Sequence, residues 1–405
     1  MPSRRTFIQQ SLGGSAAFVA SGWLPASRVL GANDRVRIGL IGGGDRGQEI
    51  FRAALRCPNV EGVAVADIYT RRLDEVKQIV PGIKTYSDFR QLLDDKSVDA
   101  VLIATPQHQH ALNFVPAIQA GKDVYQEKTM AFNPDHANRM RNAFEGSNRV
   151  VQVGIQSTSG SQLETVRQNL SPEQMGSVTA LRTHHYRNSP YGGWKRAIPA
   201  DCDLQHVNWK EFQGETEDRP WDPNRYINWR FFWDYDGGNV FENMVHQVGF
   251  WYKVLNLQIP RAVTMSGGNY LCPDMQPPDT MDVSMNQPEN ILFTWNSMFG
   301  NRYYGETDDL LLGTKGTIHR DKDERVKYLP EGKHHPDESP ASAPVPDEDL
   351  TARHMQNFFD CVRSRKEPNC PFEIGYRSAI ACRMAITSYR SGRTVRWDAT
   401  NSAIV

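Results

Sequence analysis

Residues 36–47, Val-Arg-Ile-Gly-Leu-Ile-Gly-Gly-Gly-Asp-Arg-Gly, restrict what this chain can fold into. A short, largely apolar run ends in Gly42-x-Gly44-x-x-Gly47. Alone, such a string also describes any glycine-rich turn. Its surroundings narrow the choice. The run before it reads as a buried strand, and the residues up to about 55 read as a helix. A second run, Val63-Ala64-Val65-Ala66, ends in Asp67, 20 residues beyond Gly47. Strand, tight turn, helix, strand and terminal acid at this spacing are the dinucleotide-binding fingerprint. Gly42 allows the turn, Gly44 lets backbone approach a pyrophosphate, and Gly47 lets the helix pack on the strand. Asp45 and Arg46 open that helix, whose free N–H groups and partial positive charge suit phosphates.

From residue 36 onward, apolar runs alternate with helical patterns. Strands are expected at 36–41, 63–67, 100–105, 123–126 and 150–154. Helices are expected at 71–79, 89–93, 110–120 and 134–144, the last with Asn133 as N-cap before Pro134. This alternation implies a parallel, doubly wound sheet, with ligands outside the carboxyl ends of its strands. Three ends carry suggestive residues. Asp67 is placed to accept from adenosine ribose hydroxyls, which favours NAD. Arg71 and Arg72 lie close by and are able to hold a 2′-phosphate, so NADP stays open. Thr105-Pro106-Gln107-His108-Gln109-His110 ends the fourth run, and Glu127-Lys128-Thr129 the fifth.

With these segments on view, the chain resembles the Gfo/Idh/MocA oxidoreductases. The anchors are the glycine turn, Ala104-Thr105-Pro106-x-x-x-His110, Glu127-Lys128-Thr129, and Gly237-Gly238-Asn239-Val240-Phe241-Glu242-x-x-x-His246. His354-Met355-Gln356-Asn357-Phe358 through Trp397-Asp398 is similar to that family's closing helices and last strand. The resemblance implies an α/β fold: an N-terminal Rossmann doubly wound parallel sheet, then a C-terminal α/β domain on a large open, mostly antiparallel sheet. It implies cofactor contacts at Gly42, Gly44, Asp45, Arg46, Gly47, Asp67, Thr105, Pro106, His110, Glu127 and Lys128. It implies catalytic roles for Lys128, His246 and Glu242, in hydride transfer at a secondary hydroxyl of a sugar, glycoside or cyclitol. Histidine suits the base, since its unperturbed pKa is about 6.5. A lysine ammonium stabilises alkoxide character. Two departures stand out. Thr129 replaces the family's usual proline, whose preceding bond is often cis, so this bond is either trans or a cis bond held by its surroundings. Glu242 replaces an aspartate. If Gly237-Gly238 opens a helix, Glu242 and His246 share a face.

The pattern changes at about residue 155. Residues 178–186 alternate as an antiparallel strand should, ending in His184-His185-Tyr186. Together with Arg230 and Tyr235, these three are the candidate substrate contacts. A metal site from His184 or His185 with Glu242 and His246 has no supporting ligand spacing, so none is expected. Trp194, Trp209, Trp221, Trp229, Trp233 and Trp251 fill either core or sugar cleft. Strands are expected at 262–266, 281–285, 291–295, 303–306, 310–312 and 316–319. A proline-rich loop follows at 330–346, then helices at 350–363 and 376–391 and a strand at 395–397. The open sheet face pairs subunits in the family, so a homo-oligomer is expected.

Ser3-Arg4-Arg5-Thr6-Phe7-Ile8-Gln9, a weakly apolar stretch and small residues near 26–32 match a twin-arginine signal. The expected domains are therefore a signal over 1–32, a Rossmann domain over 33–154 and a substrate and oligomerisation domain over 155–405. Export of the folded protein through the twin-arginine translocon puts it in the periplasm or outside the cell. It also favours a tightly bound cofactor loaded beforehand. The net charge of −1 gives no general attraction to nucleic acid or anionic membrane. No stretch is apolar for the ~20 residues a membrane span needs. Three functions remain open from sequence. They are a sugar oxidoreductase, a glycosidase or lyase using NAD transiently, and a non-catalytic sugar-binding relative.

Overall fold

A computed structural model describes residues 35–302, 307–321, 325–332 and 349–405. The signal reading over 1–32, the strand expected at 303–306 and most of the loop at 330–346 lie outside these residues. Residues 36–405 form one compact unit.

The first sheet is parallel and six-stranded, in the order β3-β2-β1-β4-β5-β6. Its strands are β1 (Val36–Ile41), β2 (Val60–Ala66), β3 (Lys84–Tyr86), β4 (Ala100–Ile103), β5 (Asp123–Gln126) and β6 (Val151–Val153). The central strands are buried on both faces, as a parallel sheet covered by helices requires. The helices are α1 (Asp45–Leu55), α2 (Thr70–Ile79), α3 (Phe89–Asp94), α4 (His110–Gln119) and α5 (Pro134–Phe144). Asn133 caps α5 by accepting from the His136 N–H at 2.8 Å. β3 is absent from the sequence-based expectation. Its three residues are exposed or half-buried and carry no apolar run.

Two of the three glycines have the geometry their spacing implies, and the third faces open space. Gly42 has φ +93°, and a Cβ there would lie 2.8 Å from the Ala104 carbonyl carbon. A Cβ on Gly47 would strike the Gly42 carbonyl oxygen, so only glycine lets α1 sit this close to β1. A Cβ on Gly44 meets nothing within 4 Å.

The second sheet has nine strands in the order β13-β12-β11-β7-β10-β9-β8-β14-β15. They are β7 (Val178–His185), β8 (Ala262–Gly268), β9 (Thr280–Asn286), β10 (Leu292–Met298), β11 (Thr307–Gly313), β12 (Gly316–Arg320), β13 (Val326–Pro330), β14 (Val395–Asp398) and β15 (Ala403–Ile404). β7 pairs antiparallel with β11 but parallel with β10, which makes the sheet mixed where it faces the site. One face packs on α6 (Ser161–Gln168), α7 (Val245–Leu255) and α9 (Phe372–Ser391). Beneath it Asp309, fully buried, accepts from Trp251 Nε1 at 2.9 Å and from Arg320 at 2.7 Å.

Chain order and spatial order diverge at the C-terminus. Helix α8 (Leu350–Ser364) leaves the second domain and buries Met355, Phe358, Phe359 and Val362 against Ile38, Leu40, Ile50 and Phe51 of the first. Arg365 then clamps Asp123 with two bonds of 2.7 Å. The division at 154/155 is therefore a division of sequence, and α8 completes the Rossmann layer. All six cysteines are free and buried.

Gly44→Ala should change the unfolding free energy by no more than about 0.5 kcal/mol, because φ is −69° and the space is open. Gly47→Ala should cost about 1–3 kcal/mol by overpacking. Equal effects in urea unfolding would contradict this description of the turn.

Candidate active site

A cleft of about 500 Å³ opens at the carboxyl ends of β1, β2 and β4. Gly42, Gly44, Asp45, Arg46, Asp67, Thr105 and Pro106 line its floor. Trp194, Arg196, Pro199, Tyr226 and Trp229, from the second domain, line the opposite wall.

The floor fits a dinucleotide. Gly44 is the N-cap of α1 and no side chain caps the helix, so its first amides are left for an anion. Asp67 accepts from Gly43 N–H at 2.6 Å on one oxygen and from Tyr69 N–H at 2.8 Å on the other. Each oxygen keeps a second lone pair for a ribose hydroxyl. Burial pushes this carboxyl up to about 6 despite the two amides. Both nearby arginines are committed to acids. Arg71 binds Asp201 at 2.8 Å and Glu75 at 3.1 Å, and Arg72 binds Glu75 at 2.7 Å and Asp45 at 3.1 Å.

Two residues expected at the cofactor play different parts. His110 is buried between the carbonyls of Thr129 and Thr105, each 2.8 Å from a ring nitrogen. It splints the two loops together and does not face the cleft. Glu127, also buried, turns inward to Arg46 Nε at 2.9 Å. That pair joins the glycine turn to the end of β5.

Beside the cleft the end of β5 meets the start of the α7 helix. The chain from Gly237 does form a helix, but it begins as a π-helical turn over Val240–Met244 before α7. Lys128 Nζ donates to Glu242 Oε2 at 3.0 Å and to the Glu242 carbonyl at 3.1 Å. Gln107 Nε2 donates to Glu242 Oε1 at 2.5 Å, and Arg230 Nε lies 3.3 Å from Oε2. Burial alone would raise the Glu242 carboxyl, but Arg230 and Lys128 outweigh it and hold the group well below the usual carboxylate range. The Lys128–Thr129 peptide bond is cis, which resolves the alternative left open by the sequence. Thr129 Oγ1 donates to the Phe241 carbonyl at 2.7 Å, a contact proline cannot make.

His246 lies within electrostatic reach of Lys128 and Glu242. Burial pushes it well below the usual imidazole range, and the Lys128 and Arg46 charges add to that shift. Among the described residues none hydrogen-bonds its ring. It is therefore a neutral imidazole with a free acceptor.

The expected substrate contacts divide by strand parity. Leu181 and Thr183 of β7 are buried and Arg182 is exposed, so alternate residues face opposite ways. His185 follows the inner set. It sits 3.1 Å from Arg187 Nε, and Arg187 in turn donates to Asn243 Oδ1 at 3.0 Å. His184 follows Arg182 onto the open face, near Asp308, and Tyr186 stacks on it at 4.4 Å. Neither His184 nor Tyr186 faces the cleft. Tyr235 is also displaced from the expected role. It is fully buried among Trp209, Phe212 and Phe232. Arg230 does line the cleft, stacked on Trp229 at 4.2 Å. Among the described residues, no group of three or more His, Cys, Asp or Glu is placed to hold a metal ion.

Two site residues escape the sequence patterns. Gln107 lies inside the 105–110 segment, where nothing marks it as the partner of Glu242. Asp236 precedes the glycine pair and is fully buried. Its Oδ1 accepts from Gly237 N–H at 2.7 Å while Oδ2 has no protein partner. Burial and the neighbouring Glu242 charge push it well above the usual range, so it carries a proton where Glu242 does not.

Comparison with known proteins bears on the first domain and on the fold. Residues 36–155 match the family profile GFO_IDH_MocA, described as an oxidoreductase family with an NAD-binding Rossmann fold. A stretch of 129 residues is 36% identical to a protein of Stenotrophomonas maltophilia named glycosyl hydrolase family 109 protein, covering 29% of this chain and 28% of that one. Another of 159 residues is 30% identical to inositol 2-dehydrogenase of Rubrobacter xylanophilus, covering 39% and 46%. Both matches span less than half of the curated relative. The solved levoglucosan dehydrogenase, in complex with NADH and levoglucosan, superposes with a TM-score of 0.70 at 16% identity, over 89% of this chain and 99% of that one. At that identity the likeness is one of fold across both domains. No described helix is long and apolar enough to cross a membrane. Residues 36–155 therefore form a Rossmann domain that matches the NAD-binding domain of the Gfo/Idh/MocA oxidoreductases.

Proposed function

We propose that this chain is an NAD-dependent oxidoreductase that exchanges a hydride with a secondary hydroxyl carbon of a sugar, glycoside or cyclitol. The observation that carries this is the Lys128–Glu242 contact of 3.0 Å beside the dinucleotide cleft, with a neutral His246 in the same charged environment. Bound nicotinamide would supply hydride exchange, and the chain's own residues handle binding and the proton. Lys128 has three N–H donors, and Glu242 takes two. The third is left to hold the reacting oxygen and stabilise its alkoxide character. His246 accepts the hydroxyl proton on oxidation and returns it on reduction. Glu242, fixed by Lys128, Arg230 and Gln107, keeps the ammonium in position. Trp194 and Trp229 line the cleft and offer aromatic faces to a sugar ring.

NAD is the favoured cofactor. Asp67 is poised for ribose hydroxyls, and the nearby Arg71 and Arg72 are already paired with carboxylates. The twin-arginine pattern at Arg4-Arg5 supports export in the folded state. Outside the cytoplasm, no free nicotinamide pool is available, which favours a cofactor bound tightly before export. Leu292 lies on the open sheet face, 43% exposed, in keeping with a homo-oligomer formed through that face.

A second reading rests on the relative named glycosyl hydrolase family 109 protein. In that reading NAD is used transiently: oxidation at C3 acidifies the C2 proton, elimination expels the group at C1, water adds to the resulting enone, and the ketone is reduced again. Assays with sugars and glycosides separate the two. Net NADH without cleavage supports the oxidoreductase, whereas cleavage with no net NADH supports the glycosidase.

His246→Ala should lower turnover by at least about 10²-fold, the range of general-base loss, while dinucleotide affinity stays within a few-fold. Full activity in that variant would remove His246 from the chemistry. Asp67→Ala should weaken NAD far more than NADP in calorimetric titration, and an equal loss would contradict the NAD preference. The Asp67 carboxyl titrates near 6, and its charged form is the stronger acceptor. NAD affinity should therefore be full above about pH 7 and fall as the pH drops through about 6. Asp67→Asn should abolish that dependence.

A further inference from the structure

Taking the dinucleotide reading as its basis, we propose that residues 194–229 complete the adenosine half of the cofactor site. They latch over it through Asp201, making the dinucleotide a resident group. An acid at the end of β2 marks the adenosine ribose in a doubly wound sheet. The three residues after Asp67 are stitched to the second domain. Asn208 N–H donates to the Ile68 carbonyl at 2.9 Å, and Thr70 N–H to the His206 carbonyl at 3.1 Å. Tyr69 and Val207 form an isolated antiparallel bridge. Tyr69 OH and Arg71 both donate to Asp201 Oδ1, at 2.9 and 2.8 Å.

The same segment supplies the outer wall of the cleft, through Trp194, Pro199, Tyr226 and Trp229. Its far end is anchored on the other side of the floor. The Phe212 carbonyl accepts from Gln109 Nε2 and lies beside His108 Nε2, both at 2.6 Å, and Glu211 pairs with Arg90 at 2.9 Å. The segment thus crosses the cleft from the end of β2 to the start of α4. A nucleotide whose ribose reaches Asp67 lies beneath it.

The two anchors differ in strength. Phe212 sits in a buried aromatic cluster with Trp209 and Tyr235. The Arg71–Asp201 pair is 45% and 38% exposed, and an exposed pair of this kind is weak and screened by salt. Residues 194–201 are therefore the part that opens when the Asp201 clasp lets go, while the 206–208 bonds to Ile68 and Thr70 and the Phe212 anchor stay closed. Neither Asp201 nor Arg71 lines the cleft, so both act on exchange and not on the bound geometry.

The test uses the purified full-length protein loaded with radiolabelled NAD and chased with excess unlabelled NAD. Wild type should release label slowly. Asp201→Ala should release it up to about 5-fold faster, the reach of an exposed pair, and Arg71→Ala, an exposed substitution that spares the fold if Asp201→Ala does not, should do likewise. Raising the salt concentration should speed release from wild type and leave the variants unchanged. Equal release rates in wild type and both variants would overturn the latch while leaving the dinucleotide site in place. A wild type that neither carries nor takes up NAD would overturn both.

Discussion

The contact between Lys128 and Glu242 joins the two halves of this molecule at the point where chemistry is possible. Lys128 comes from the end of β5, and Glu242 from the π-helical turn that opens α7. Taking two charges out of water costs several kcal/mol per ion, so such a pair persists only when other groups compensate it. Here both carboxylate oxygens are compensated. Glu242 receives Lys128, Gln107 and Arg230, and its carbonyl takes a second bond from Lys128. Next door, Thr129 Oγ1 holds the Phe241 carbonyl. Thr129 thereby adds a hydrogen bond across the domain boundary beside the pair.

That pair also sets the proton inventory around it. Burial, with the Glu242 charge beside it, keeps Asp236 protonated, and burial, with the Lys128 and Arg46 charges, holds His246 neutral. The result is one ammonium, one guanidinium, one carboxylate and one neutral imidazole gathered beside the cleft, of which Arg230 lines it. An alcohol oxidation needs a neutral base and a fixed cation, and this arrangement contains both.

What was legible in the sequence follows from what periodicity encodes. The glycine turn, Asp67 and the buried strands of the first sheet are local patterns, and local patterns were enough. β3 was not legible, since three half-exposed residues make no run. His184 and His185 were equally plausible because sequence shows that adjacent strand residues face opposite ways, but not which faces the site. Only the packing of Leu181 and Thr183 decides that. Tyr235 was misplaced because an aromatic beside a functional helix fits core and cleft alike. His110 was placed at the cofactor through a motif, whereas two backbone carbonyls claim its ring. Gln107 and Asp236 carry no signal of their own, and their roles exist only once Glu242 is brought to them. The location of α8 against the first sheet is likewise a long-range fact that no window reveals.

The most direct measurement follows a deuterium placed on the carbinol carbon of a sugar or cyclitol that the protein turns over. The account predicts that the label moves to C4 of the protein-bound nicotinamide in wild type, and that the transfer is lost in Lys128→Met although NAD remains bound. Sugar binding with no label on the nicotinamide, or undiminished transfer without Lys128, would contradict it.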